Sequence, residues 1–506
     1  MIPSLPVVLL LLPTICFGEP VHMPLTRRSG RVRTAQDHFA AADRARARYG
    51  FPTAASLRPS RRATSTNFAV VDQEADSSYF TSISIGTPAQ TFNVILDTGS
   101  SDLFVLDTSC QGCSDAPLFD SSKSSSFSQQ STTRPTTISY GSGSVQGFIA
   151  SDTVSMGSFS VSSQTFLVGE AITQDLIDGD VSGLIGLAFQ GLAVTDAAPF
   201  WQALITNNQL SSPEMAFQLA RSQSTKDEPG GTFTLGGTNS SLFTGDIEFH
   251  DLTGSSTPMF WQVSLSAVTV QGKSVAISTG NAALSAIDTG TTAIGGPSDD
   301  VSAIWAAVPG ASAVQGQGGQ GFFQFPCTTS ISVTLSFGGQ AWSINPEDMN
   351  LGQLEQGSSM CIGAIFDISL GADTDSSTPS WVVGDTFLKN VYSVFRQNPM
   401  SVGFAQLGSG GTTTSGGSSG VTKSATLPSN PLPSGASKSL STSTGAKLTS
   451  GGASTPTLPG LSTPTSNTGG TSAAGSSPTG STGVRSVGAP AGVLISALVS
   501  VLASVF

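Results

Sequence analysis

The stretch "NVILDTGSSDLFV" (residues 93–105) places an aspartate, Asp97, directly after three apolar residues, Val94, Ile95 and Leu96. An ionised carboxylate in such a setting is costly unless it is paired or hydrogen-bonded. The pattern recurs in "SAIDTGTTAIGG" (residues 285–296), where Asp288 follows Ala286 and Ile287, 191 residues after Asp97. About ninety residues beyond each aspartate comes a pair of apolar residues and a glycine, in "GLIGLA" after the first and "WVVGDTF" after the second. A single Asp-Thr-Gly is an ordinary turn. Two copies in apolar frames, each with a matching downstream partner, mark a duplicated unit. Two homologous lobes related by a pseudo-twofold axis would set the two aspartates face to face.

Working outward, the chain between residues 68 and 408 reads as short alternating runs broken by Gly, Ser and Asp: "SYFTSISIG", "GTFTLGG", "WQVSLSAVTVQG", "SISVTLSFGG". Period-two alternation with such punctuation predicts strands and turns of an all-β protein with a few short helices. The clearest helix signal is "DAAPFWQALITNNQL", with Asp196 as its candidate N-cap.

The ends differ from this middle. Residues 1–18 are apolar, too short to span a bilayer comfortably and closed by small residues, the form of a secretory signal peptide, although no Lys or Arg precedes the apolar run. The alternative is a buried N-terminal strand. Residues 19–62 hold ten of the chain's 21 Lys and Arg, whereas residues 63–408 hold 30 Asp and Glu against seven Lys and Arg. A basic leader on an acidic body reads as a pro-segment held by charge and loosened as carboxylates protonate in acid, the other reading being a disordered arm. "DHFAAADRARARYG" within it looks helical, and Arg61-Arg62 is a dibasic processing pair that places the mature start near Ala63, with Arg27-Arg28 a second candidate. The mature body then divides into an N-terminal lobe, 63–240, and a C-terminal lobe, 241–408. Residues 409–485 are rich in Ser, Thr, Gly and Pro without an acidic residue, and read as an extended, O-glycosylated stalk. Residues 486–506 are an apolar tail behind a small-residue cluster and a short spacer, the signal for a glycosylphosphatidylinositol (GPI) anchor; a retained tail-anchor helix is the alternative.

Secretion would explain the cysteines. Cys16 leaves with the signal peptide, and four remain, which nearest-neighbour pairing joins as Cys110 with Cys113 and Cys327 with Cys361. Asn239 heads the one clear N-glycosylation sequon, on an expected surface turn.

Elimination narrows the chemistry. Of three histidines, His22 and His38 fall in the leader, leaving His250 in the polar stretch "IEFHDLT", where a surface role is expected. No Ser-His-Asp triad is therefore evident in the body, no HExxH occurs, and the cysteines read as structural rather than nucleophilic or metal-binding. The carboxylates remain. Two aspartates about 3 Å apart cannot both ionise, so a pair shares a proton and supplies an acid and a base together. The base takes a proton from a water that attacks a carbonyl carbon while the acid hydrogen-bonds the carbonyl oxygen, with no metal, cofactor or covalent intermediate. Around the pair, Gly99 and Gly290 let the turns approach, Thr98 and Thr289 can bond across the lobes, and Ser100 and Thr291 can donate to their own aspartates.

At this point the chain resembles the pepsin family of aspartic endopeptidases over residues 68–405. The resemblance rests on "YFTSISIGTPAQTFNVILDTGSSDLFV", "ISYGSGSVQGFIASDTV", "AIDTGTTAIGGP" and "WVVGDTFLKNVYSVF". It implies a bilobal pepsin-like acid protease fold with a central cleft that holds protein or peptide substrates as an extended strand. It also implies that Asp97 and Asp288 are the catalytic pair, and that Tyr140, Gly141 and Ser142 form the tip of a substrate-covering flap. Both disulfide pairings match the family, although the Cys110–Cys113 loop is shorter than usual. Arg48-Tyr49 resembles the leader pair that plugs the active site. Phe104 stands where the family usually has a Trp that bonds the flap tyrosine, which would leave Tyr140 without that partner. Ser142, where relatives that cleave after Lys often carry Asp, points to bulky apolar side chains around the scissile bond. The expected protein is thus a monomeric, surface-anchored acid endopeptidase of the secretory pathway, held at the plasma membrane or cell wall, with no nucleic-acid partner. The alternative is a protease-like surface binding protein that has lost activity.

Overall fold

The computed structural model describes residues 19–27, 33–54 and 79–408, apart from 112, 114–115, 131–133, 141–142, 174–175, 178–179, 222–227, 255–256, 317 and 373–377. The expected signal peptide, the dibasic pair at 61–62, the stalk and the anchor signal lie outside the described residues. All described residues belong to one compact unit.

The chain is mostly β, as its alternating runs predict. The apolar strand Gln90–Asp97 pairs in parallel with Gly183–Gly186, in a register that sets Asp97 opposite Gly186. Gly183–Gly186 then runs antiparallel to Leu103–Gln111, which in turn lies parallel to Phe159–Ile172. The second half repeats this arrangement. Leu284–Ile287, leading into Asp288, is parallel to Trp381–Val383; that strand is antiparallel to Ile294–Gly296, itself parallel to Ile365–Asp367. The internal repeat is therefore the same four-strand crossing built twice. Such central strands are covered on both faces, which is why they read as continuous apolar runs rather than alternating ones.

The downstream glycines have a steric cause. A β-carbon on Gly186 would lie 2.5 Å from the Ser101 Cα, and one on Gly384 would lie 2.6 Å from the Ala293 carbonyl oxygen. The backbone continues both contacts: Leu187 N–H donates to the Asp97 carbonyl (2.8 Å) and Asp385 N–H to that of Thr291 (2.8 Å). Each aspartate turn is thus braced by the loop that follows its partner strand.

Two elements were not legible beforehand. Leader residues Val21–Arg27 form a strand inside the large sheet, antiparallel to Glu228–Leu235 on one side and joined to Tyr79–Ile85 on the other. Pro24 argues against a central strand. It is accommodated because the second side is laddered only at Thr26 and Arg27, while the Thr81 hydroxyl donates to the Pro24 carbonyl. The last strands among the described residues, Val391–Gln397 and Met400–Leu407, enter the same sheet through Glu214–Leu219, so that sheet joins the first and the last of the described strands.

The expected leader helix is present as Ala35–Arg48, opened by a capping box in which Thr34 and Asp37 each bond the other's backbone. The helix expected from Asp196 begins later, at Phe200–Thr206. Asp196 has φ of 56° and does not cap it; Pro199, with its fixed φ, occupies the N-cap position instead.

Candidate active site

Asp97 and Asp288 come together, both fully buried. Four hydrogen bonds lock their turns across the two halves. The Thr98 hydroxyl donates to the Ile287 carbonyl (2.8 Å) and accepts from Thr289 N–H (3.0 Å); reciprocally, the Thr289 hydroxyl donates to the Leu96 carbonyl (2.8 Å) and accepts from Thr98 N–H (3.1 Å). The two glycines permit the approach. A β-carbon on Gly99 would sit 2.5 Å from the Asp288 Cγ, and one on Gly290 would sit 2.6 Å from the Asp97 Cγ.

Each carboxylate is held by its own turn. Asp97 accepts from Gly99 N–H (2.9 Å) and the Ser100 hydroxyl (2.6 Å), and Asp288 accepts from Gly290 N–H (2.8 Å) and the Thr291 hydroxyl (2.6 Å). The environments nevertheless separate the two. Burial pushes the Asp97 carboxyl up to about 6 against the pull of Arg48, with Asp288 adding to the push. Burial acts on Asp288 in the same sense, but Arg48 and the Thr291 and Gly290 bonds outweigh it and hold that carboxyl below its usual range. The pair is thus poised to carry one proton.

Arg48 and Tyr49, at the end of the helix Ala35–Arg48, occupy this centre. Arg48 Nη1 lies 3.1 Å from Asp97 Oδ1 and 3.0 Å from Asp288 Oδ2, Nη2 lies 3.1 Å from Asp97 Oδ2, and the Tyr49 hydroxyl donates to Asp288 Oδ2 at 3.0 Å. Burial alone would lower the Arg48 pKa, yet the two carboxylates override it and keep the guanidinium charged. The Tyr49 ring packs on Phe260 at 5.2 Å between centroids.

Tyr140 ends the strand Thr136–Tyr140, paired with the strand that begins at Gly143; Gly141 and Ser142 lie outside the described residues. The Tyr140 ring lies 5.6 Å from that of Phe104, and its buried hydroxyl has no hydrogen-bond partner among the described residues. The cysteines pair as Cys110–Cys113 and Cys327–Cys361. Asn239 sits in a turn and is half-buried rather than exposed, its side-chain oxygen accepting from the Ser241 N–H and hydroxyl. His250 is half-buried beside the Glu248 carboxylate, and burial lowers its pKa.

Sequence reasoning missed the leader's remaining anchors. Phe39, Ala42, Ala45 and Tyr49 form one buried cluster with Phe322, Phe366 and Phe260 of the body. Arg46 is fully buried, donating to the Asp367 and Gln320 carbonyls, with its guanidinium over the Phe366 ring. The signal was available: positions 35, 38, 39, 42, 45, 46 and 49 follow the helical period, and only the presence of His and Arg among them hid an inward face.

Two carboxylates paired between two copies of one strand crossing define the acid-protease class of hydrolase. The chain belongs to the eukaryotic aspartyl protease family, whose model matches residues 78–407. It is 42% identical over 368 residues to the major aspartyl peptidase 1 of Cryptococcus neoformans, covering 70% of this chain and 74% of that protein. An aspartic protease of Phaffia rhodozyma is 31% identical (76% and 91% covered), as is human cathepsin D (67% and 82%). The chain is therefore a pepsin-like aspartic endopeptidase acting on protein or peptide substrates.

Proposed function

We propose that Asp97 and Asp288 are the catalytic pair and that residues 19–62 are an autoinhibitory leader. The observation that carries this reading is the seat of Arg48 and Tyr49 on both carboxylates. When the leader leaves, the cation that opposes burial at both aspartates leaves with it, and a water takes its place. The ionised carboxylate removes a proton from that water as its oxygen attacks the peptide carbon; the protonated one donates to the carbonyl oxygen. Collapse of the tetrahedral species breaks the C–N bond as a proton passes to the departing amine. Thr98, Thr289, Gly99 and Gly290 fix the geometry, Ser100 and Thr291 orient the carboxylates, and Tyr140, Gly141 and Ser142 cover the substrate.

The reading extends to the ends of the chain. Residues 1–18 direct it to the secretory pathway, the mature protein starts near Ala63 with lobes over 63–240 and 241–408, and a stalk over 409–485 leads to a GPI signal at 486–506. The mature enzyme acts as a monomer at the outer surface, glycosylated at Asn239. Incubating the purified, acidified chain with a peptide library and mapping products by mass spectrometry tests the specificity. Cleavage between bulky apolar residues is expected; cleavage mainly after Lys or Arg overturns it. Release of the native protein from membranes by a phosphatidylinositol-specific phospholipase C is the corresponding test of the anchor, and retention after treatment contradicts it.

A further inference from the structure

We propose that His38 is an acid trigger for leader release: it is docked neutral in an apolar seat that cannot accept its protonated form. This rests on the reading that the leader occludes the aspartate pair. His38 lies on the inward face of helix Ala35–Arg48, next to Phe39, and is buried to 4% exposure. Its Nε2 is buried and has no hydrogen-bond partner among the described residues. Protonation would put a buried N–H donor there with no acceptor among the described residues to receive it.

The surrounding charges oppose protonation as well. Arg33 and Arg44 on the leader disfavour a cation here, and Asp37 offsets them in part. The facing strand Asn350–Gln353 brings only the sequence "NLGQ", with no ionisable side chain, and Thr136–Tyr140, against which the helix also packs, brings only a tyrosine. Burial is the largest cause, and it takes the ring from its ordinary 6.5 down to about 3.

The docked leader binds fewer protons than the released one between these two values, so docking is at full strength above 6.5 and weakens as pH falls, roughly tenfold per unit, until the docked value is reached. Release would therefore begin at milder acidity than the body's ordinary carboxylates need to titrate.

The test uses the full chain in an Asp97→Asn background, which prevents self-cleavage, with His38 retained or replaced by Gln. Amide hydrogen exchange of helix Ala35–Arg48 is followed from pH 7.5 to 3.5 as protection factors. Equal protection at pH 7.5, and about a hundredfold greater protection in H38Q at pH 4.5, is the expected result. Identical pH dependence in the two proteins overturns the trigger. If H38Q fails to dock at pH 7.5, the His38 ring titration followed by NMR in the parent chain decides instead: a midpoint well below 6.5 supports the proposal and one at or above it rejects it. Failure of the underlying reading looks different. A transition-state-analogue peptide binding at pH 7.5 while the helix stays protected would show that the leader does not occlude the site, whatever residue 38 does.

Discussion

Tyr140 shows how one residue can be held against its own polarity. Its hydroxyl is buried beside Phe104, and burial, with Asp102 and Asp97 adding to it, keeps its pKa well above normal. A buried hydroxyl without a partner costs about 1–3 kcal/mol. Tyr140→Phe in the full-length chain should accordingly leave thermal stability unchanged or raise it by up to about that amount, measured as Tm against the unaltered chain; a fall of comparable size would mean the hydroxyl is bonded. Phe104 made this site legible in the chain, since a phenyl ring offers no N–H. The aspartates were equally legible, because a carboxylate at the end of an apolar run has few benign explanations. The seat of His38 was not legible: a histidine among alanines and arginines reads as solvated, and only surfaces far along the chain, Thr136–Tyr140 and Asn350–Gln353, make it buried.

At the scale of elements, the strand crossing ties sequence to site. Gly186 and Gly384 each lie against the backbone of the aspartate turn they brace, so a methyl group there must displace main chain rather than a side chain. Gly384→Ala should lower stability by about 1–3 kcal/mol, the usual cost of overpacking a filled core. Denaturant unfolding measures it, and an unchanged midpoint would show that the loop can yield. The repeat and its glycines could be read from the chain because both copies use the same local pattern. The leader strand Val21–Arg27 could not, since its pairing with Glu228–Leu235 spans more than 200 residues and Pro24 argues against it locally. The helix start was misplaced for a similar reason: Asp196 offers a cap by residue type, but its positive φ and the proline three residues on fix the boundary later.

For the whole molecule, Asp348 joins segments that are far apart in sequence. It accepts from Arg221 (2.7 and 2.9 Å) and from the Asn390 side chain (2.9 Å), and pairs with Lys389 at 2.9 Å. Burial would raise its pKa, but Lys389 and Arg221 outweigh that and hold it below the usual carboxylate range. A carboxyl lowered on folding stabilises the native state above its unfolded value, and that contribution is lost as pH falls through the folded one. Asp348→Asn should therefore lower stability by about 3–5 kcal/mol at pH 7, where the buried Lys389 and the partly exposed Arg221 lose their shared carboxylate, and by less near pH 2, the difference being read from Tm at the two pH values. A pH-independent loss would assign the residue a purely steric role.

The proposed mechanism requires Asp97 and Asp288 to share one proton and activate one water. The most direct measurement is kcat/KM for a peptide substrate across the acidic range, with the unaltered enzyme compared against Asp97→Asn and Asp288→Asn after near-UV circular dichroism has shown each to be folded. A pH profile with two limbs is expected for the unaltered enzyme, and a loss of about 10²–10⁴-fold or more in each variant separately. Activity that survives in either folded variant would contradict it.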